Sequence, residues 1–410
     1  MAQSNSLLKQ AIPEFDEHKD VAATGRSGSP AFKVTVFHDI DSAGPIWRTL
    51  QGDNAVSPGQ NYHFIRLWID AFKIAREDQY FVVAALDGAP VALLPLWRRS
   101  FGGIRALTWF PGAHVGCNAP LVDLPRLMAL TPHDRRRLWS GIAAELTQVD
   151  AVYLRAVPDR IDGAIEPFAE FGVFEPVETL FRSEFSSWEE ANVTQRSKSR
   201  RKHDRQQGDR LDALGTVGLE EVGNGTVAEQ VLDVMFQQRA VRFKAMGVPD
   251  PFDCPLTRAF YDSTVQIGSG VPVRLHVLRL EGEIVAVRYS IALGDRLFCL
   301  ISSMSEDPAI QGGSPGKQCL LRVMQTVFDT GVRAFDMGAG LTDEKRHWCN
   351  TQIALRQHYL PLNWRGRMAC GAYRQWQRSR SAIKSNARLL ALAKNLRGLA
   401  NRSPKAEASE

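Results

Sequence analysis

Nowhere does this chain of 410 residues approach the ~18–20 consecutive apolar residues of a membrane-spanning helix. Its opening Met-Ala-Gln-Ser-Asn-Ser is polar and lacks the apolar core of a secretory signal, so the expected compartment is the cytoplasm. Cysteine is sparse. Its six copies, at 117, 254, 299, 319, 349 and 370, never show the close pairing of a zinc site, and no metal is expected. Cys299 and Cys319 lie in apolar stretches and read as buried thiols. Acidic residues are missing between Arg365 and Lys405, where eleven Arg and Lys residues lie. The net charge of the whole chain is only +5, so a slightly acidic body carries a basic C-terminal arm.

What remains is a globular composition, 44% hydrophobic and 23% charged, which excludes a disordered chain. The length favours two domains over one core. Residues 1–30 have no apolar period and read as a mobile tail. Strand-like alternation follows at Phe32–His38, then a short helix at Ile46–Leu50 and an amphipathic helix at Tyr62–Phe72. Tyr80–Leu86 and Val91–Trp97 flank Asp87-Gly88-Ala89-Pro90, a hairpin signal. Strands at 105–110 and near 119–122, a helix at 132–147 and the strand Ala151–Ala156 complete the first half.

The second half repeats that order. Helices near 226–245 and 256–267 precede the hairpin Val273–Leu280 and Ile284–Leu293, turned at Glu281-Gly282-Glu283, and then Arg296–Ser303. The two hairpins match closely enough to indicate duplication of one α/β unit, joined between 180 and 215, where the basic run Arg196–Arg205 lies. The expected division is a tail at 1–30, domains at 31–185 and 186–370, and a basic helical arm at 371–410.

After the last of these strands comes Gln311-Gly-Gly-Ser-Pro-Gly316, opening a helix that runs to about Thr330. Then follow Ala334–Met337, a short helix at 343–349 and Ile353–Leu360. A glycine-rich turn at a helix start leaves N–H groups and a positive dipole end facing outward, a ready site for an anion such as a pyrophosphate. Pro315 suits the first helical position with Ser314 as its cap. The first half lacks such a turn, reading Leu130-Thr-Pro-His before its own helix.

These residues resemble the GNAT acyltransferase fold, whose turn carries Gln/Arg-x-x-Gly-x-Gly/Ala. The chain looks most like the tandem branch labelled CelD/BcsL, associated with cellulose and exopolysaccharide synthesis. The matching features are Ser314-Pro315-Gly316, Phe335-Asp336-Met337-Gly338, Glu344-Lys345-x-x-Trp348, and Ala92-Leu-Leu-Pro-Leu-Trp97 before Gly116-Cys-Asn118. Ser314 stands where the fold has its middle glycine, and Glu344 where the branch has tyrosine. A similar arrangement occurs in Fem-type transferases, which take aminoacyl groups from tRNA.

The resemblance implies an α/β chain of two GNAT-like domains with mixed sheets, in which the second binds acetyl-CoA or another acyl-CoA and the first shapes the acceptor cleft. Gln311, Gly312, Gly313, Ser314, Gly316 and Lys317 are the expected cofactor residues. Lys345, Asp336 and His347 are the catalytic candidates: an ammonium for a developing oxyanion, a carboxylate and an imidazole. The carboxylate of Asp336 reads equally as a brace for the loop after its strand. Arg239, Arg242, Lys244 and Trp348 are the acceptor candidates. The expected acceptor is an amine or hydroxyl of a saccharide or its precursor, with tRNA only in the Fem-like alternative. A non-catalytic assembly protein of polysaccharide synthesis is the other alternative. In the arm, Trp376, Ile383, Leu389, Leu390, Leu392 and Leu396 alternate with cations, a pattern suited to peripheral contact with an anionic membrane.

Overall fold

A computed structural model describes residues 30–52 and 55–385. The expected tail, apart from Pro30, and the arm beyond Ser385 lie outside the described residues. The first half runs β1 (Phe32–Phe37), α1 (Ile40–Gln51), α2 (Tyr62–Phe72), β2 (Gln79–Leu86), β3 (Ala89–Phe101), β4 (Ile104–Trp109), a short β5 (Leu121–Val122), α3 (Leu124–Ala129), α4 (Pro132–Glu145) and β6 (Ala151–Pro158). A ribbon of β7 (Arg160–Ile161) and β8 (Ala164–Ile165) then leads to β9 (Val173–Glu184).

Next come α5 (Trp188–Gln195), α6 (Lys198–Asp212), β10 (Val217–Val222), α7 (Thr226–Met246), α8 (Pro255–Thr264), β11 (Val273–Leu280), β12 (Glu283–Leu293) and β13 (Arg296–Met304). The chain continues through α9 (Pro308–Gln311), α10 (Pro315–Val327), β14 (Ala334–Ala339), α11 (Asp343–Trp348), β15 (Thr351–Pro361) and α12 (Trp364–Ser385).

Local chemistry accounts for the repeat. Both hairpin turns place two residues at positive φ, Asp87 and Gly88 in one and Glu281 and Gly282 in the other. That backbone matches the right-handed twist of the strands it joins. The first helix is longer than its apolar residues imply. Asp39 accepts the Ser42 N–H as a cap, and the helix therefore starts at Ile40 and takes Pro45 within it.

A single sheet of thirteen strands carries both halves, in the order β1-β2-β3-β4-β6-β15-β9-β14-β13-β12-β11-β10, with β5 on the side of β3. Two pairs are parallel, β4 with β6 and β13 with β14, and they occupy equivalent places in the two halves. At the centre the halves exchange strands. β9, from the first half, pairs with β14, while β15, from the second, pairs with β6, and the two exchanged strands pair with each other. Two strands of this sheet, β9 and β10, were not expected from local pattern, and neither was the β7–β8 ribbon.

Hydrophobic cores lie on both faces. One packs α1, α2, α7 and α8 of both halves against the sheet, with Phe64 and Trp68 each 4.9 Å from Phe260 across the α2–α8 contact. A second packs α4 on the first half, and a third packs α10 and Trp348 of α11 on the second. Helices α7 and α10 therefore approach the second half from opposite faces. At the seam, a Cβ on Gly116 would stand 2.9 Å from the Gly338 Cα, so backbone meets backbone there.

Candidate functional site

The parallel pair β13–β14 is short. It joins Arg296, Leu297 and Phe298 to Ala334, Phe335 and Asp336, after which β13 runs on to Met304 without β14 beside it. Three side chains meet at the end of β14. Lys345 is buried, and its Nζ donates to the carbonyls of Gly338, Ala339 and Gly340 at 3.1, 2.7 and 2.8 Å. An ammonium has three N–H donors, and all are used. Gathering three successive carbonyls curls the strand end, which Gly338 and Gly340 permit at φ 79° and 80°. Asp336 braces the same turn, with one oxygen accepting the Gly338 N–H at 2.9 Å and the other facing Arg182 of β9 at 3.3 Å. Burial lowers the pKa of Lys345 and raises that of Asp336, while Arg182 pulls Asp336 back down.

Beyond the gap lies the first turn of α10. Ser314 does occupy the cap position, but its side chain does not cap the helix: its Oγ accepts from Gln207 Nε2 of α6 at 2.7 Å. Its φ of 49° is left-handed, a conformation that favours glycine. Pro315 has no N–H, and the Lys317 and Gln318 N–H groups return to the Ser314 carbonyl. The Gly316 N–H, in the first turn, has no intrahelical partner, and Gly316 lines a cavity. The matching helix of the first half is closed. Thr131 accepts the Asp134 N–H, and the Asp134 carboxylate sits in that first turn, where an anion would be repelled.

The cavity measures about 480 Å³. It passes the end of β13 at Ser302–Met304 and touches α7 on one face of the sheet and α10 on the other. Of the residues singled out in the sequence it gathers Gln311, Ser314, Gly316 and Lys317 with Arg239 and Arg242. Arg239 lies over the Phe243 and Phe252 rings and donates to the Ser302 carbonyl at 2.8 Å. Arg242 stands 3.8 Å from Glu306 and is half exposed.

Other candidates lie outside this lining. Gly313 packs against Leu211, where a Cβ would come within 2.8 Å, and Gly312 meets nothing. Gln311 lines the cavity but spends its amide N–H on the Ser305 carbonyl at 2.6 Å. Lys244 is exposed on α7. Trp348 is buried beside Trp188, with the Arg196 guanidinium 5.1 Å over its ring. His347 is also on α11, with its pKa lowered by burial and by Arg200. The basic run turns partly inward, since Arg196 pairs with Asp204 at 2.7 Å and Arg201 donates to two backbone carbonyls.

Sequence reasoning missed the residue that ties the cavity together. Arg288, in the middle of β12, is 4% exposed and reaches the Gly316 carbonyl at 3.1 Å and the Glu344 carboxylate at 3.2 Å. Burial opposes its charge, yet Glu344 holds its pKa above the ordinary value. The signal was there: a lone arginine among Val285, Ala286, Val287 and Tyr289 has to have a partner. Glu344 thereby enters the cavity wall between α10 and α11. Among the described residues no cluster of His, Cys, Asp and Glu could hold a metal ion.

Residues 198–346 match the family model described as acetyltransferase (GNAT) domain. No curated protein matches the chain. Among solved structures, a conserved protein of unknown function from Bacteroides thetaiotaomicron aligns over 77% of this chain and 97% of its own, with a TM-score of 0.50 and 11% identity. FemX aligns over 71% of this chain and 90% of its own at a TM-score of 0.49 and 9% identity. L-PGS from Bacillus licheniformis aligns over 80% and 93% at 0.48 and 14%. These likenesses concern the fold. Residues 198–346 are thus similar to an acetyltransferase (GNAT) domain, the mixed α/β fold is GNAT-like, and the enzyme class is acyltransferase.

Proposed function

We propose that the chain transfers an acetyl or other acyl group from coenzyme A to an amine or hydroxyl of a saccharide or saccharide precursor. The observation that carries the reading is the cavity at the parted strands, which joins the uncapped start of α10 to the arginines of α7. The residues present suit the donor: the Gly316 N–H and Lys317 face an anion from the α10 side, where the helix dipole adds to their charge. The donor supplies an activated thioester carbonyl. Arg239 and Arg242 stand on the opposite face of the sheet and would hold the acceptor, an arrangement that brings two reactants together end to end.

Lys345 and Asp336 act in this reading as positioning residues that keep β14 off β13. Glu344 is the carboxylate that would orient the acceptor and take up its proton as the acceptor bonds to the acyl carbon, the carbon–sulfur bond breaks and the thiolate leaves to be protonated by solvent. The saccharide as acceptor is supported by the Ser-Pro-Gly, Phe-Asp-x-Gly and Lys-x-x-Trp resemblance.

Isothermal titration with acetyl-CoA tests the donor site. Wild type should bind, and Gly316→Asp, which puts a carboxylate against the anion site, should lose at least about tenfold in affinity. Equal binding by the variant would show the site to be misplaced. Binding of aminoacyl-tRNA in place of acetyl-CoA would turn the reading toward the Fem-like reaction, and binding of neither by the folded chain toward a non-catalytic role.

A further inference from the structure

Helix α12 does not contribute to the cavity, and its residues present an unusual surface. Residues 364–385 contain Arg365, Arg367, Arg374, Arg378, Arg380 and Lys384 and no acid. The inward side is firmly seated. Tyr373 packs 5.3 Å from Tyr153, Arg374 and Arg378 reach Glu175 at 2.9 and 2.7 Å, and Arg365 donates to the Gly103 carbonyl at 2.6 Å. A Cβ on Gly366 would collide with the Asp150 carbonyl, so the helix lies directly on the body.

The outward side nevertheless carries large apolar groups. Trp364, Met368 and Trp376 are 74%, 70% and 51% exposed, and with Ala372 they recur every fourth residue along one stripe. Phe101, 48% exposed at the end of β3, lines an almost wholly apolar cavity of about 300 Å³ together with Ala369, Cys370 and Tyr373 of α12. Arginines flank the stripe on both sides.

We infer that this face of α12 docks on an anionic lipid bilayer. Indole rings and a thioether beside guanidinium groups suit the boundary between headgroups and acyl chains, where apolar burial and attraction to anionic lipid act together. A second copy of this helix is a poor occupant, because the exposed Arg367, Arg378 and Arg380 would face their own kind. The sequence after Ser385 extends the same charge, with Arg388, Lys394, Arg397, Arg402 and Lys405 and no acid among them. Docking of this kind requires no spanning segment, and no described helix is long and apolar enough to be one.

The test is cosedimentation of the full chain with vesicles of phosphatidylcholine alone or with about one third phosphatidylglycerol, at low and high salt. Binding should require the anionic lipid, weaken strongly in high salt, and shift tryptophan emission to the blue. The double variant Trp364→Ser/Met368→Ser should lose at least about tenfold in vesicle affinity, with an unchanged melting temperature. Equal binding to both vesicle types, no binding to either, or full binding by the variant overturns the proposal. So does a change in solution mass of the variant by light scattering, which would assign the stripe to self-association.

Discussion

Lys345 illustrates how much a single side chain can decide. Its three carbonyl contacts fix the curl at the end of β14, and that curl keeps the strands apart. Lys345→Met should therefore destabilise the fold by about 2–4 kcal/mol, because buried carbonyls lose a charged donor. Activity should fall with it, by about tenfold or more, as the gap loses its shape. Urea denaturation read beside steady-state kinetics separates this from an oxyanion role, for which activity would fall at unchanged stability. The sequence singled out the lysine as a catalytic candidate, but its partners were not legible, since backbone carbonyls leave no mark on a motif. The serine at 314 was legible as a departure from the fold's pattern. Its left-handed backbone, held by a contact to Gln207, is the physical reason that pattern has glycine there. Arg288 and Glu344 were readable only in part, because their pairing joins positions far apart in the chain.

Among elements, β9 and β15 depend most on context. The β9 segment Val173–Glu184 contains Pro176 and the charges Glu175, Glu178, Arg182 and Glu184, and local alternation gives no reason to call it a strand. Three of these charges find their partners in other elements, while Glu184 pairs with Arg182 on β9 itself. Glu175 meets Arg374 and Arg378 of α12, Glu178 meets Arg155 of β6, and Arg182 meets Asp336 of β14. The hairpins were legible because a period of two and a turn with two residues at positive φ are local facts. A strand completed by ion pairs from three distant elements is not.

On β15, His358 is buried, and its Nδ1–H donates to the Phe171 carbonyl at 2.9 Å. Burial lowers its pKa from 6.5 to about 4. A depressed histidine favours the fold while both states are neutral, and that contribution is lost as the unfolded chain takes up a proton below its own pKa. Stability should thus decline as pH falls from about 6.5 toward about 4, by roughly 3 kcal/mol from this group. His358→Asn should flatten the profile in that window when denaturation midpoints are measured across it. A profile unchanged by the substitution would remove His358 as the cause.

For the molecule as a whole, the exchange of strands bears on cooperativity. If the units 31–185 and 186–370 were independent, heating would melt them separately. With β15 between β6 and β9, and β9 against β14, neither half has its full sheet without the other. One coincident unfolding transition is expected from calorimetry, tyrosine and tryptophan fluorescence, and far-ultraviolet circular dichroism. Two resolved transitions would show that the halves hold their structure separately. The tandem plan could be read from the repeated hairpins. The exchange could not, because it depends on which strand edges remain free once each half has formed.

That exchange also sets a schedule. A chain leaving the ribosome delivers β6 and β9 long before β14 and β15, their partners on the finished sheet. During that interval the first half carries unsatisfied strand edges into the cell, where such edges invite pairing with other chains. Closure waits for translation to pass Pro361, which makes the first half, although made earliest, unable to finish ahead of the second.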